Sequence, residues 1–299
     1  MVEACRNWRT DPLADALLTE LEHFGAGAPL EACPALEAVF TGPDEAERLI
    51  GMLSQHLCAA IVGEPFGHPP FRSGFDGRAA SLLLARKGRA QLIIQTREPG
   101  TYKQPTCLFN DAVRYDAVIG GKAQGRIVRL VNRAGQAAQF CAEPMQFARG
   151  GRLALDLASE TLLLDRVERR LVVLRLLRNA ENPAPGREYD AGTGAFLHQS
   201  AGSLAISRQE ATIALLGRMG RTDAAPACAR LALGEGDASL RWQALRECLS
   251  LDSATGFAAL SRLAQRLDDD LSHPAAALRM QLLETYPQLM QVETDQCRA

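Results

Sequence analysis

The chain has 299 residues, 47% of them hydrophobic and 23% charged, and a formal charge of −2, which is the balance of an ordinary globular protein and excludes a disordered one. So small a net charge gives no global pull toward nucleic acid or an anionic membrane, and no run approaches the roughly 20 apolar residues of a membrane span. The start around Glu3 and Arg6 is polar and has no signal-peptide apolar region, so the cytoplasm is the expected location.

A chain of this length is expected to form two or three structural units. Thr10-Asp11-Pro12 is a helix start, because Asp caps free N–H groups and Pro is tolerated at the first helical position. Leu13, Leu17, Leu21 and Phe24 keep helical spacing until the Gly25 to Pro29 stretch breaks it. A second start at Thr41-Gly42-Pro43 leads into the stripe Leu49, Ile50, Leu53, Leu57, Ala60 and Ile61, with His56 beside it. Residues 1–71 are thus expected to be an N-terminal helical segment.

From Arg72 the texture becomes that of strands. Ala80 to Arg86 and Ala90 to Arg97 flank Lys87-Gly88-Arg89, a hairpin-type loop. Ala117 to Ile119, Arg126 to Val131 and Ala137 to Cys141 follow, punctuated by Gly120-Gly121 and by Asn132 to Gly135. Leu153, Leu155 and Leu157 alternate with smaller or polar residues, the period of a strand with one buried face. Thr161 to Leu164 and Leu171 to Leu177 read as two further strands joined by a polar loop, Asp165 to Arg170. In the second of these both faces are apolar, which predicts a central position in the sheet. Arg166, Arg169, Arg170, Arg175 and Arg178 are expected on a solvated face. Many short strands without intervening amphipathic helices argue for an antiparallel sandwich or barrel over residues 72–200.

The strand spacing, the Val118-Ile119-Gly120-Gly121 turn and the Ala148 to Arg152 turn resemble a cupin-type jelly roll over about residues 65 to 200. Metal-binding cupins carry a His-x-His with a downstream Glu and a further His on a later strand, and this chain has neither motif. The histidines near the sheet are His68, followed by two prolines, and His198. Glu64 stands four residues before His68, but Pro65, Gly67, Pro69 and Pro70 oppose the helix that would bring the two together. No catalytic, cofactor-binding or metal site is therefore expected, and Glu64, His68 and His198 are the weak candidates for a metal.

Asn179 to Gly186, with two prolines and a glycine in a polar run, reads as a linker. Residues 201–299 are helical by pattern and repetitive: Leu240 to Leu245 recurs as Leu278 to Leu283, with shorter second helices at Ala224 to Leu233 and Phe257 to Leu267. The Arg-φ-x-Ala-Leu core and the Met219 to Pro226 turn are similar to HEAT-type repeats, which implies stacked helix pairs and an extended binding surface. Leu245 and Leu282 are expected in the shared core, and Arg241, Arg246 and Arg279 are expected to be solvent-facing and to bind a partner.

Chemical motifs are otherwise missing. Gly120-Gly121-Lys122-Ala123 is not a P-loop, Gly192-Thr193-Gly194 lacks the third small residue of a dinucleotide fingerprint, and no Gly-x-Ser-x-Gly occurs. The 8 cysteines are scattered without a Cys-x-x-Cys pair and read as reduced thiols. Lysine occurs only at Lys87, Lys103 and Lys122, and this arginine-rich usage suits a GC-rich bacterial genome. The fold expected is α+β: N-terminal helices, a central antiparallel β-sandwich or jelly roll, and a C-terminal α-solenoid. The function expected is that of a non-catalytic protein-interaction or scaffold protein of a bacterial cytoplasm, partnered by another protein and not by nucleic acid or membrane, with any self-association through the β unit. The alternative is a small-molecule sensor or metal-dependent enzyme that uses the jelly-roll interior.

Overall fold

A computed structural model describes residues 2–68, 71–134 and 137–290. The chain divides into two compact units, Met1–Ser200 and Ala201–Ala299. The fold class is α+β, with N-terminal helices, central antiparallel sheets and C-terminal helices packed in pairs.

Four helices open the first unit: α1 (Val2–Arg9), α2 (Pro12–Ala26), α3 (Pro34–Thr41) and α4 (Glu45–Gly63). α2 begins as its sequence requires, with the Asp11 carboxylate accepting from the Leu13 N–H at 3.1 Å. α1 and α3 had no clear signal in the sequence. α1 is only two turns long, yet it buries Cys5 and Trp8. α3 is capped from another helix, because Glu20 of α2 accepts from the N–H groups of Ala35 and Leu36 at 2.7 and 2.9 Å. In α4 the expected stripe is buried at Leu49, Ile50 and Leu53. It does not extend to Ile61, which is 43% exposed because the last turns of α4 run past the core.

Eleven strands follow among the described residues: β1 (Arg72–Phe75), β2 (Ala79–Lys87), β3 (Ala90–Arg97), β4 (Gly100–Thr101), β5 (Thr106–Phe109), β6 (Ala112–Ala134), β7 (Ala137–Ala148), β8 (Arg152–Asp156), β9 (Glu160–Asn179), β10 (Gly186–Asp190) and β11 (Phe196–Ser200). The main sheet has the order β1-β2-β3-β9-β6-β7, with β4 added to β9 and β8 to β6, and a small sheet has the order β11-β10-β5. β9 lies between β3 and β6, the central place its two apolar faces predict.

Several expected breaks turn out to be strand. Gly120-Gly121 runs through β6 and does not form a turn. Gly121 has φ +96°, and a Cβ there would stand 2.2 Å from the Arg170 carbonyl oxygen. The glycine lets β6 bend against β9 with a shift of register. Asp165 to Arg170 likewise remains strand, because Val167 is buried while its charged neighbours pair on the outside: Arg126 with Asp165, Lys122 with Glu168 and Arg170 with Glu98, at 3.1, 2.9 and 2.9 Å. Asn132 to Ala134 belong to β6, and Gly135 lies outside the described residues. The hairpin at Gly88 and the turn at Gly150 are as expected, with φ +54° and +83°. Asn179 to Gly186 joins β9 to β10 within the first unit, where the N–H groups of Ala180 and Ala184 bond to Asp111 at 3.0 and 3.1 Å.

Antiparallel partners share a face, so the register assigns each side of the sheet. Leu92 opposite Leu176 and Ala117 opposite Leu174 join Trp8, Leu17, Leu21, Phe24, Leu36, Leu49 and Leu53 in one continuous core. Arg178 closes that junction: its guanidinium donates to the Phe24 carbonyl at 3.1 Å and lies 4.2 Å from the Phe24 ring centre. It thereby satisfies carbonyls at the C-terminal end of α2. Arg152 ties the α3–α4 connection to β8 through Gly42, Pro43 and Glu47, each at 3.0 Å.

The second unit contains α5 (Leu204–Arg218), α6 (Ala225–Leu233), α7 (Ala238–Leu251), α8 (Ser253–Ala264) and α9 (Ser272–Thr285). Ser203, Asp237 and Asp252 cap α5, α7 and α8. α7 packs on α5 and α6, and α8 packs on α6, α7 and α9, around Leu240, Leu245, Cys248, Phe257, Leu260 and Leu263. The three pairs expected from the sequence appear, among the described residues, as two pairs followed by α9.

Leu174 and Leu245 are fully buried, so Leu174→Ala or Leu245→Ala should cost about 2–5 kcal/mol in chemical denaturation. Val131→Ala, at a position 66% exposed, should stay within about 0.5 kcal/mol.

Candidate functional site

The sheet face turned away from the helices carries Gln95 and Arg97 on β3, Leu171, Val173 and Arg175 on β9, and Arg114, Asp116 and Val118 on β6. With the 103–106 segment, Phe147, Thr161 to Leu164 and Glu188 of β10, they line a cavity of about 440 Å³. Its wall is thus part apolar and part charged, amide or hydroxyl.

Asp116 is the buried carboxylate of this cavity, 3% exposed. Arg114 Nε donates to both of its oxygens at 3.1 and 3.0 Å, and a second Arg114 nitrogen pairs with Oδ2. Arg175 adds Nε to Oδ1 at 2.8 Å and Nη2 to Oδ2 at 3.0 Å. Burial alone would raise the Asp116 carboxyl, but the two guanidiniums outweigh it and hold it well below the usual carboxylate range. Such a group is a poor proton acceptor, and both its oxygens are already engaged. Burial and the other arginines pull the Arg114 and Arg97 guanidiniums below their ordinary values, which still leaves them cationic.

Two of the five arginines expected on a solvated face are thus inside: Arg175 on Asp116 and Arg178 on the end of α2. Strand alternation decides this, since residues 171, 173 and 175 share one face, and only the neighbouring strand reveals that Asp116 lies opposite Arg175. The alternation Arg114-Tyr115-Asp116 was a signal in the sequence, but without register it could not be tied to Arg175.

The sequence candidates lie elsewhere. Glu64 and His68 are exposed, at the end of α4 and just before β1, and neither lines the cavity. His198 on β11 stands directly opposite Glu188 of β10 and, though exposed, pairs with it, Nε2 to Oε2, at 3.1 Å; Glu188 lines the cavity and His198 does not. Glu64, His68 and His198 therefore do not converge, and among the described residues no group of three or more His, Cys, Asp or Glu side chains is placed to hold a metal ion.

In the second unit Arg241 is not solvent-facing as expected. It is 8% exposed, donates to the Ala232 carbonyl at 3.2 Å and pairs with Asp269, a structural clamp between helices. Arg279 is partly buried and donates to Ser261 Oγ at 3.2 Å. Arg246 is exposed and borders an apolar groove of about 640 Å³ formed with Trp242, Leu278, Leu282, Tyr286 and Leu289. The reason for the split is helical geometry: Arg241 lies one turn before Leu245 on the inner face, and Arg246 points outward.

Asp116→Asn leaves two buried guanidiniums without their counter-ion and should destabilise the protein by about 3–5 kcal/mol at neutral pH. Because the folded-state value of Asp116 is lowered, its contribution is present above the unfolded carboxylate range and lost as pH falls through the folded value. Wild-type stability should therefore fall below about pH 4 more steeply than that of Asp116→Asn, as read by denaturant midpoints across pH.

No family model matches the sequence, and no curated protein matches it. Among solved structures, the middle region is distantly similar to jelly-roll proteins of the cupin type. The 7S globulin of Momordica charantia is 18% identical over 42% of this chain and 36% of the globulin, with a TM-score of 0.30. Ectoine synthase from P. lautus is 16% identical over 36% of this chain and 67% of its own, with a TM-score of 0.25. KdgF from Halomonas sp. is 9% identical over 38% of this chain and 91% of its own, with a TM-score of 0.28. The chain spans about a third of the globulin's length, and likeness at this level says nothing of activity.

Proposed function

We propose that the first unit is a non-catalytic small-molecule binding module, a sensor in which the space between the sheets holds the ligand. The observation that supports this reading is the cavity of about 440 Å³ itself, within the range of small-molecule sites and walled by both apolar and polar side chains. Its one buried acid is immobilised by two arginines, which suits a built binding wall better than a proton-transfer site. A metal-dependent enzyme has less support, since the described residues present no donor set for the ion.

A second reading, capture of another protein by the C-terminal unit, is supported by the apolar groove beside exposed Arg246. The HEAT-type repeat belongs to this reading, and the stacking of α5 to α9 is what supports it. Among the described residues no helix is long and apolar enough to cross a membrane, and a bacterial cytoplasm is the proposed setting.

Val173→Trp, a substitution that fills the cavity from the middle of β9, tests the first reading. Ligands found by thermal-shift screening of the wild type should lose their effect on this variant if it remains folded by near-UV circular dichroism. Shifts that survive undiminished would place the binding site elsewhere. For the second reading, Arg246→Glu should reduce partner capture at least about tenfold, the scale of a lost charged contact, while leaving the melting temperature nearly unchanged.

A further inference from the structure

We infer that the ligand of this cavity is an organic oxyanion, a carboxylate or phosphate on an apolar body, and that Arg97 is the residue that binds its charged end. The inference rests on the cavity being a ligand site at all. It starts from the charges on the wall. Among the described residues of the wall, the cations Arg97, Lys103, Arg114 and Arg175 outnumber the carboxylates Asp116 and Glu188.

The two acids are also already committed. Both oxygens of Asp116 are taken by Arg114 and Arg175. Glu188 is bonded to His198, its direct neighbour across β10 and β11. Arg97 is left with a single hydrogen bond, to the carbonyl of its neighbour Thr96 at 3.2 Å, and has no ion pair among the described residues. It is only partly exposed; Arg175 nearby repels it, while Asp76 and Asp116 attract it without forming an ion pair with it. A guanidinium partly withdrawn from water without a directly paired carboxylate is costly, and an oxyanion accepting two parallel N–H bonds is the partner its planar fork suits.

The rest of the wall describes the ligand body. Val118, Phe147, Leu171 and Val173 form its apolar side, while Gln95 stands two residues from Arg97 on the same face. Lys103 adds a second cation from the segment between β4 and β5, suited to a dianion such as a phosphate ester or to a second carboxylate. Gln104 is held by its own bond, accepting from the Leu164 N–H at 2.6 Å, and serves as wall.

The test uses the full chain and isothermal titration with benzoate and phenyl phosphate against their neutral counterparts benzamide and benzyl alcohol. The two anions should bind at least about tenfold more tightly than the neutral compounds, the size of one well-formed charged hydrogen-bond pair. The benzoate and phenyl phosphate arms also tell which oxyanion is preferred. Arg97→Gln should remove that preference, Arg97→Lys should restore part of it, and the exposed Arg86→Gln should leave it intact. Neutral compounds binding as tightly as the anions to the wild type would overturn the oxyanion inference while sparing the cavity reading, and this comparison needs no variant to fold. Anion binding undiminished in a folded Arg97→Gln protein would overturn the role of Arg97. No binding by any of the four compounds would overturn the cavity reading and the inference with it.

Discussion

The alternation of side chains along β9 is the constraint on which the first unit depends. Leu174 and Leu176 on one face of the strand complete the core with α1 to α4, while Leu171, Val173 and Arg175 on the other face open into the cavity. A shift of one residue in register would exchange these sets, placing a guanidinium in the helix-packed core and leucines in the charged cavity. Gly121 lies where β6 bends, and the register of β6 against β9 shifts around it, so the two long strands stay paired on either side of the bend.

The Asp116 cluster depends on the same register. Its carboxylate is opposite Arg175 and two residues from Arg114, so two strands supply one buried ion triad. Such a triad is weak evidence of stabilisation, because desolvating three charged groups offsets much of their attraction. Its place in the cavity wall bears on the ligand proposed above: the carboxylate is neutralised, and the residual charge of the wall is positive. A wall of that kind favours an anion and selects against a carboxylate-coordinated metal, which would compete with two fixed guanidiniums for the same oxygens.

The second unit is governed by a different rule. Each helix buries small or branched side chains such as Ala244, Leu245 and Cys248 against its neighbours, and polar clamps join the layers where apolar contact ends. Arg241 with Asp269, and Arg266 donating to the Leu233 carbonyl at 2.5 Å, are such clamps. Arginines in this unit therefore divide into structural and outward-facing ones according to helical phase, and residue type alone does not separate them.

The sequence by itself determined the α+β class, the strand-rich middle, the central place of residues 171 to 177, the glycine turns at Gly88 and Gly150, and the helical last third. Each of these follows from a local period or a local backbone preference, which neighbouring residues express without help. The tertiary structure decided the rest. Whether Gly120-Gly121 turns or bends depends on the Arg170 carbonyl lying against it; whether α3 is capped depends on Glu20 from another helix; and whether Arg175 is surface or wall depends on Asp116, far away in sequence. These are contacts between distant segments, and only folding assigns their partners. The histidines and Glu64 drew attention for their chemistry, but the charged cluster of the cavity centres on arginines around Asp116, whose ordinary surface role hid them until strand register brought them together.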